Sequence, residues 1–238
     1  MNAVVQPDGF EILLEAGPLL VVRKPAGLLT QAPPGIDNLE LRVKRFLKAR
    51  DAKPGGVYLA VIHRLDRPVS GVIAFCKHVR AARKLAQQFE DRTVRKTYWA
   101  LVGGRPEAAR GTWTDYLRKI PGEARSETTD PAHPDAQLAI LHYQTRADVG
   151  SQTLLEIELE TGRTHQIRVQ CSAHGLPILG DAQYGSAAAF GPDTPDERAR
   201  AIALHARGLE FRHPMSGEPV AVTADLPEYW PEWTSRLA

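Results

Sequence analysis

Cysteine is scarce in this chain of 238 residues: only Cys76 and Cys171, far apart and in no ligand spacing. That argues against a disulfide framework or a cysteine-built metal centre and leaves two small buried thiols. No apolar run approaches the roughly 20 residues that a helix needs to cross a bilayer. The opening stretch, Met1-Asn2-Ala3-Val4-Val5-Gln6-Pro7, lacks a basic start followed by an apolar core, so no secretory leader is expected. The sequence also lacks a glycine-rich phosphate loop and any histidine or acid cluster at metal spacing. A cytoplasmic protein without metal or nucleotide cofactor and without a membrane segment is therefore expected.

An excess of one charge is missing too, since the formal net charge is only +2. Its distribution is uneven. Between Val61 and Trp99, nine Lys or Arg face three acids, whereas from Ser186 onward eight acids face five bases. Arginine outnumbers lysine 22 to 8. Arginine is the better residue for bidentate phosphate contacts and base stacking, which points weakly to a nucleic-acid partner.

Apolar content of 43% and ordinary length are those of one globular domain with a substantial core. No internal repeat, low-complexity tract or long linker divides the chain, so residues 1–238 are read as a single domain. Short strands are expected at 9–14 and 19–23, around the turn Ala16-Gly17-Pro18, before the break at Lys24-Pro25-Ala26-Gly27. A helix is expected from Asn38 to Arg50, capped by Asp37, with Leu39, Val43, Phe46 and Leu47 on its apolar face. A second runs from His78 to Arg92, with Val79, Ala82, Leu85, Ala86 and Phe89 as its stripe. Strands are expected at 57–62, 71–76 and 96–102. Residues 103–135 read mainly as loops with a short strand at 113–117, and 137–146 with 151–160 as a hairpin. Thr164 is expected to cap a helix ending at Gly175, and Thr194-Pro195-Asp196-Glu197 to open a last helix to Ala203. Strands close the chain at 204–211 and 219–224.

The chemically distinctive stretch is His63-Arg64-Leu65-Asp66-Arg67-Pro68-Val69-Ser70-Gly71. Its one carboxylate, Asp66, stands among cations in a loop between two apolar strands. A carboxylate in such company stays ionised, as a nucleophile acting at neutral pH must. A solvated loop ion pair is the alternative reading of the same residues. In Lys96-Thr97-Tyr98-Trp99, alternation places Tyr98 on the face of Lys96, where its ring could stack on a base instead of packing in a core. Arg168 reads as a surface cation or as a fixed partner for an anion.

His63-Arg64-Leu65-Asp66 with Ser70-Gly71 resembles the signature of the RluA-type pseudouridine synthases. Lys24-Pro25-Ala26-Gly27, Lys96-Thr97-Tyr98, Thr161-Gly162-Arg163-Thr164-His165-Gln166-Ile167-Arg168 and Leu204-His205-Ala206 follow that family's patterns in order. The resemblance implies an α+β pseudouridine synthase fold, a mixed, mainly antiparallel sheet in two subdomains flanking an RNA-binding cleft. It implies isomerisation of uridine to pseudouridine in ribosomal or transfer RNA. Asp66 then matches the nucleophile, Arg64 the residue that helps extrude the base, and Tyr98 the ring packed against it. Arg168 matches the cation paired with the aspartate, and Leu204 an apolar wall of the uracil pocket. His63 and Arg163 join the expected RNA-contacting set. Val69 and Gln170 depart from the pattern, which has Thr and His there. The chain begins almost directly in catalytic-domain sequence, so an S4 RNA-binding module is not expected, and a monomer is. A non-catalytic RNA-binding module would not need Asp66, and a glycosidase would want two cooperating carboxylates.

Overall fold

The computed structural model describes residues 7–237, apart from the side chain of Ser235; of the stretch 1–7 read for a leader, residues 1–6 lie outside the described residues. In chain order the elements are β1 (Glu11–Ala16), β2 (Leu19–Lys24), α1 (Leu39–Arg50), β3 (Ala60–Val61), β4 (Ser70–Cys76), α2 (Val79–Glu90), β5 (Arg95–Gly103), β6 (Arg110–Lys119), β7 (Ser126–Thr128), β8 (Gln137–Val149), β9 (Gln152–Leu159), α3 (Gln166–Ala173), β10 (Leu204–Arg212), β11 (Pro219–Thr223) and α4 (Glu232–Ser235). The class is α+β, as expected. The chain divides into two compact units.

The first unit takes residues 1–95, 196–199 and 206–225. Its strands follow the order β1, β2, β4, β10, with β11 beside β10 and the short β3 beside β4. β1–β2, β2–β4 and β10–β11 are antiparallel. β4 is buried along its whole length, which is why Ser70 to Cys76 reads as a nearly unbroken apolar run. Gly71 adopts a φ of +123°, and a Cβ there would come within 2.3 Å of the carbonyl oxygen of Ala206. Only glycine allows β10 to approach this closely.

α1 begins one residue later than the sequence pattern indicates. Asn38, not Asp37, is its cap and accepts the N–H of Leu41 at 3.0 Å. Asp37 is occupied by Arg42 instead. The first N–H groups of α1 are taken by main chain: Leu39 donates to Leu29 and Glu40 to Thr30. In α2 the buried face is Ala81, Ala82 and Leu85, while Val79 in the first turn is exposed. The strand expected at 57–62 contracts to Ala60–Val61.

The second unit takes residues 96–195, 200–205 and 226–238. Its strands run β5, β9, β8, β6, β7, every pair antiparallel. The 103–135 region is more regular than a loop reading allows, because β6 pairs eight residues with β8. The helix expected at 194–203 is absent apart from one 3₁₀ turn at Glu197–Ala199. Tertiary pairing overrides its capping signals: Ala203 donates to Leu179 and accepts from Leu101, holding that backbone extended.

Candidate active site

Asp66 lies half-buried in the loop between β3 and β4, and two anchors hold that loop, one on each side of it. On the N-terminal side, the Thr30 hydroxyl donates to the carbonyl of Leu65 at 2.9 Å and accepts the Leu65 N–H at 3.2 Å. On the C-terminal side, the Arg67 carbonyl accepts from Gly27 N–H at 2.8 Å and from the Lys24 amine at 3.2 Å. The Arg67 side chain returns to Gly27 O at 2.9 Å and pairs with Asp196 at 2.7 Å. The turn itself closes with Val69 N–H on Asp66 O.

Lys24 is the unexpected member of this neighbourhood. Read from sequence as part of a turn, it is fully buried, with its amine donating to the carbonyls of Pro25, Leu28 and Arg67. Burial pulls its pKa down to about 7, and the carboxylate of Asp66 acts in the opposite direction. Lys24 thus places an interior amine against the main chain of the loop that carries Asp66.

His63 is occupied structurally. Its Nε2 accepts the N–H of Ala74 in β4 at 3.0 Å, and its ring stacks on Phe89 of α2 at 4.8 Å. That role argues against a base contact through Nε2. Arg64, by contrast, is exposed.

In the second unit, Arg168 is no surface cation. It is 5% exposed and grips Asp181 with two prongs, Nε to Oδ2 at 2.7 Å and Nη2 to Oδ1 at 2.8 Å. Nη2 also donates to Gln183 at 2.8 Å, and the guanidinium lies 4.8 Å from the ring centre of Tyr184. The Tyr184 hydroxyl accepts the Ser126 N–H, donates to the Ser126 carbonyl and meets Nδ1 of His165 at 2.9 Å. Asp181, Gln183 and Tyr184 are not among the residues singled out from the sequence. The available signal was one acid inside an apolar run, since such an acid needs a buried partner.

α3 opens differently from the capping pattern. Its first flanking residue is His165, in the left-handed region with φ 55°, and the Thr164 side chain does not cap it. Gln166 organises the turn instead, accepting Arg163 N–H at 3.0 Å and the Thr161 hydroxyl at 2.8 Å. Arg163 donates its Nε to Leu138 O. Gln170, where the family pattern has His, is buried and donates to Asp115 at 2.7 Å. Tyr98 is half-buried on β5 opposite Ile157, while the neighbouring Trp99 turns away to bond Glu156. Leu204, at the start of β10, is 3% exposed. His63, Arg64 and Asp66 therefore share one loop of the first unit, and Tyr98, Arg163, Arg168 and Leu204 belong to the second.

Residues 18–173 match the model of the RNA pseudouridylate synthase family, a span that includes Asp66, Tyr98 and Arg168. The chain belongs to the RluA-type RNA pseudouridine synthases. An uncharacterised RNA pseudouridine synthase of Synechocystis is 32% identical to it over 97% of this chain and 69% of the relative. The ribosomal large subunit pseudouridine synthase D of Xanthomonas campestris is 36% identical over 95% of this chain and 69% of the relative. Among solved structures, human RNA pseudouridylate synthase domain containing 4 shares the fold, with a TM-score of 0.75 at 24% identity over 92% of this chain and 90% of that one. This pseudouridine synthase is thus an RNA-modifying isomerase that converts uridine to pseudouridine. No helix among its described residues is long and apolar enough to cross a membrane.

Proposed function

We propose that this pseudouridine synthase modifies ribosomal RNA, transfer RNA or both, as a cytoplasmic monomer whose chain works as one catalytic domain, with Asp66 as the nucleophile. Relatives named as ribosomal large subunit pseudouridine synthases support the ribosomal target. The single observation that carries the assignment of Asp66 is its loop: a half-buried carboxylate whose two chain neighbours are fixed by Thr30 and by Lys24 with Gly27.

The reaction breaks the N1–C1′ bond, turns the uracil and joins C5 to C1′. The C5 proton leaves and N1 gains one, so the product is an isomer and no redox partner enters the balance. The target base must leave its stack, at a cost of a few kcal/mol, least in a loop or bulge. Tyr98 offers a ring on which the extruded base can stack, and Leu204 an apolar wall. Arg64 and Arg163 contact the RNA, and His63 serves by holding the loop to β4. Arg168, oriented by Asp181 and Gln183, is the cation that the family pattern assigns to the aspartate.

Pseudouridine mapping tests this reading. Ribosomal and transfer RNA from a strain lacking the protein are compared with RNA from the same strain carrying wild-type or Asp66→Asn protein. The reading requires a site lost in the deletion, restored by wild type and not by the variant. Restoration by Asp66→Asn overturns the nucleophile, and no changed site in either RNA pool overturns the proposed targets.

A further inference from the structure

We propose that Thr30 is a positioning residue for the isomerisation, setting the place of Asp66 through the main chain of Leu65. The inference rests on the reading of Asp66 as the nucleophile and adds to it the group that aims the carboxylate.

Thr30 is 3% exposed, and its hydroxyl both donates to and accepts from the backbone of one residue, Leu65, the residue immediately before Asp66. One hydroxyl closing both hydrogen bonds of a single peptide position fixes the height and the tilt of that position. Thr30 is itself fixed from the other side, because its carbonyl accepts the Glu40 N–H at 3.1 Å in the first turn of α1. A continuous path of short bonds therefore runs from α1 through Thr30 and Leu65 to Asp66. Beyond Asp66, Gly27 and Lys24 hold Arg67. A carboxylate on a loop with both neighbours tied has little freedom to drift from the reacting carbon. Misplacement of a reacting group by about 1 Å can cost on the order of a hundredfold in rate.

The test compares Thr30→Val, which keeps the shape and removes the hydroxyl, with Thr30→Ser, which keeps the hydroxyl and removes the methyl. Thr234→Val is the control: Thr234 is fully buried and bonds the Pro231 carbonyl, so it loses a comparable hydrogen bond elsewhere. The expected result for Thr30→Val is a kcat lowered roughly 10- to 100-fold with KM for RNA within about twofold of wild type. Hydrogen exchange should quicken over residues 63–69. Thr30→Ser should recover most of the lost kcat, and Thr234→Val should lose stability without that loss of rate. If Thr30→Val does not fold, Thr30→Ala, which also removes the hydroxyl, carries the same comparison, with hydrogen exchange over residues 63–69 showing that the loop has been released. Wild-type kcat in the folded hydroxyl-free variant overturns the proposal, as does a loss that Thr30→Ser fails to recover or that Thr234→Val reproduces. Asp66→Asn is assayed alongside. An active Asp66→Asn overturns the nucleophile reading itself, whereas an inactive Asp66→Asn with a fully active Thr30→Val overturns only the role of Thr30.

Discussion

Arg168 and Asp181 form a two-pronged ion pair in which the guanidinium is 5% and the carboxylate 1% exposed. Both charges have left water, and each supplies compensation to the other. Breaking such a pair from one side takes a partner from a buried charge, at about 3–5 kcal/mol. Asp181→Asn keeps some hydrogen bonding and should cost about 3 kcal/mol, read as a lowered midpoint of urea unfolding. The double replacement Arg168→Met with Asp181→Leu should regain most of that stability, because apolar groups of similar volume satisfy a buried site. It should not regain turnover. Full activity in the stable double variant would remove Arg168 from the reaction and leave it a structural role alone.

Lys24 gives the fold a pH dependence of definite sign. Its pKa falls from 10.5 in the unfolded reference to about 7 in the folded chain. Between those values the unfolded state binds more protons than the native state, so stability rises with pH across this window and is flat below it. One pKa unit corresponds to about 1.4 kcal/mol, and moving from pH 7 to pH 9 should add about 2 kcal/mol. Urea unfolding of wild type and Lys24→Met at the two pH values isolates this contribution. Equal gains in both proteins would show that Lys24 titrates outside the window.

Gly71 should tolerate no side chain. A Cβ would stand 2.3 Å from the carbonyl oxygen and 2.5 Å from the nitrogen of Ala206, both main-chain atoms. Gly71→Ala should therefore destabilise by more than about 4 kcal/mol, at the top of the range for single substitutions. Thermal unfolding of the purified variant checks this, and a melting temperature near that of wild type would mean that β10 can move away from β4 at little cost.

For Tyr98 the expected contribution is the ring. Tyr98→Ala should lower kcat/KM by the equivalent of about 1–3 kcal/mol, the usual worth of one base on one aromatic ring. Tyr98→Phe should retain that stacking and the affinity for RNA. Unchanged kinetics in Tyr98→Ala would take the residue out of the substrate site.

The parts of this molecule that were legible in sequence are those written locally. Amphipathic spacing located α1 and α2, and unbroken or alternating apolar runs located β4 and β9. The family pattern around Asp66 is equally local. What stayed hidden depends on pairs formed by folding. Thr30 and Leu65 are 35 residues apart, and nothing near Thr30 marks it as an anchor. Asp181 becomes the counter-ion of Arg168 only when the turn after α3 folds back on that helix. The capping signals at Thr194 and Thr164 were genuine local preferences. They were overruled where Leu101 and Leu179 paired with Ala203, and where Gln166 closed the turn ahead of α3. The burial of Lys24 is not visible in the break Lys24-Pro25-Ala26-Gly27, because only the three converging carbonyls give its amine a place inside.

Besides the side chains of His63 and Arg67, a set of anchors takes hold of the main chain of the Asp66 loop. Thr30 meets the backbone of Leu65, Gly27 and Lys24 meet the carbonyl of Arg67, and the turn closes from the N–H of Val69 to the carbonyl of Asp66. Position 69 can hence exchange a hydroxyl for a methyl, as Val69 does relative to the family pattern, without untying the turn. The exposed position 64 is freer still. The side chains around the carboxylate can therefore vary in sequence while the main-chain path that carries Asp66 stays the same.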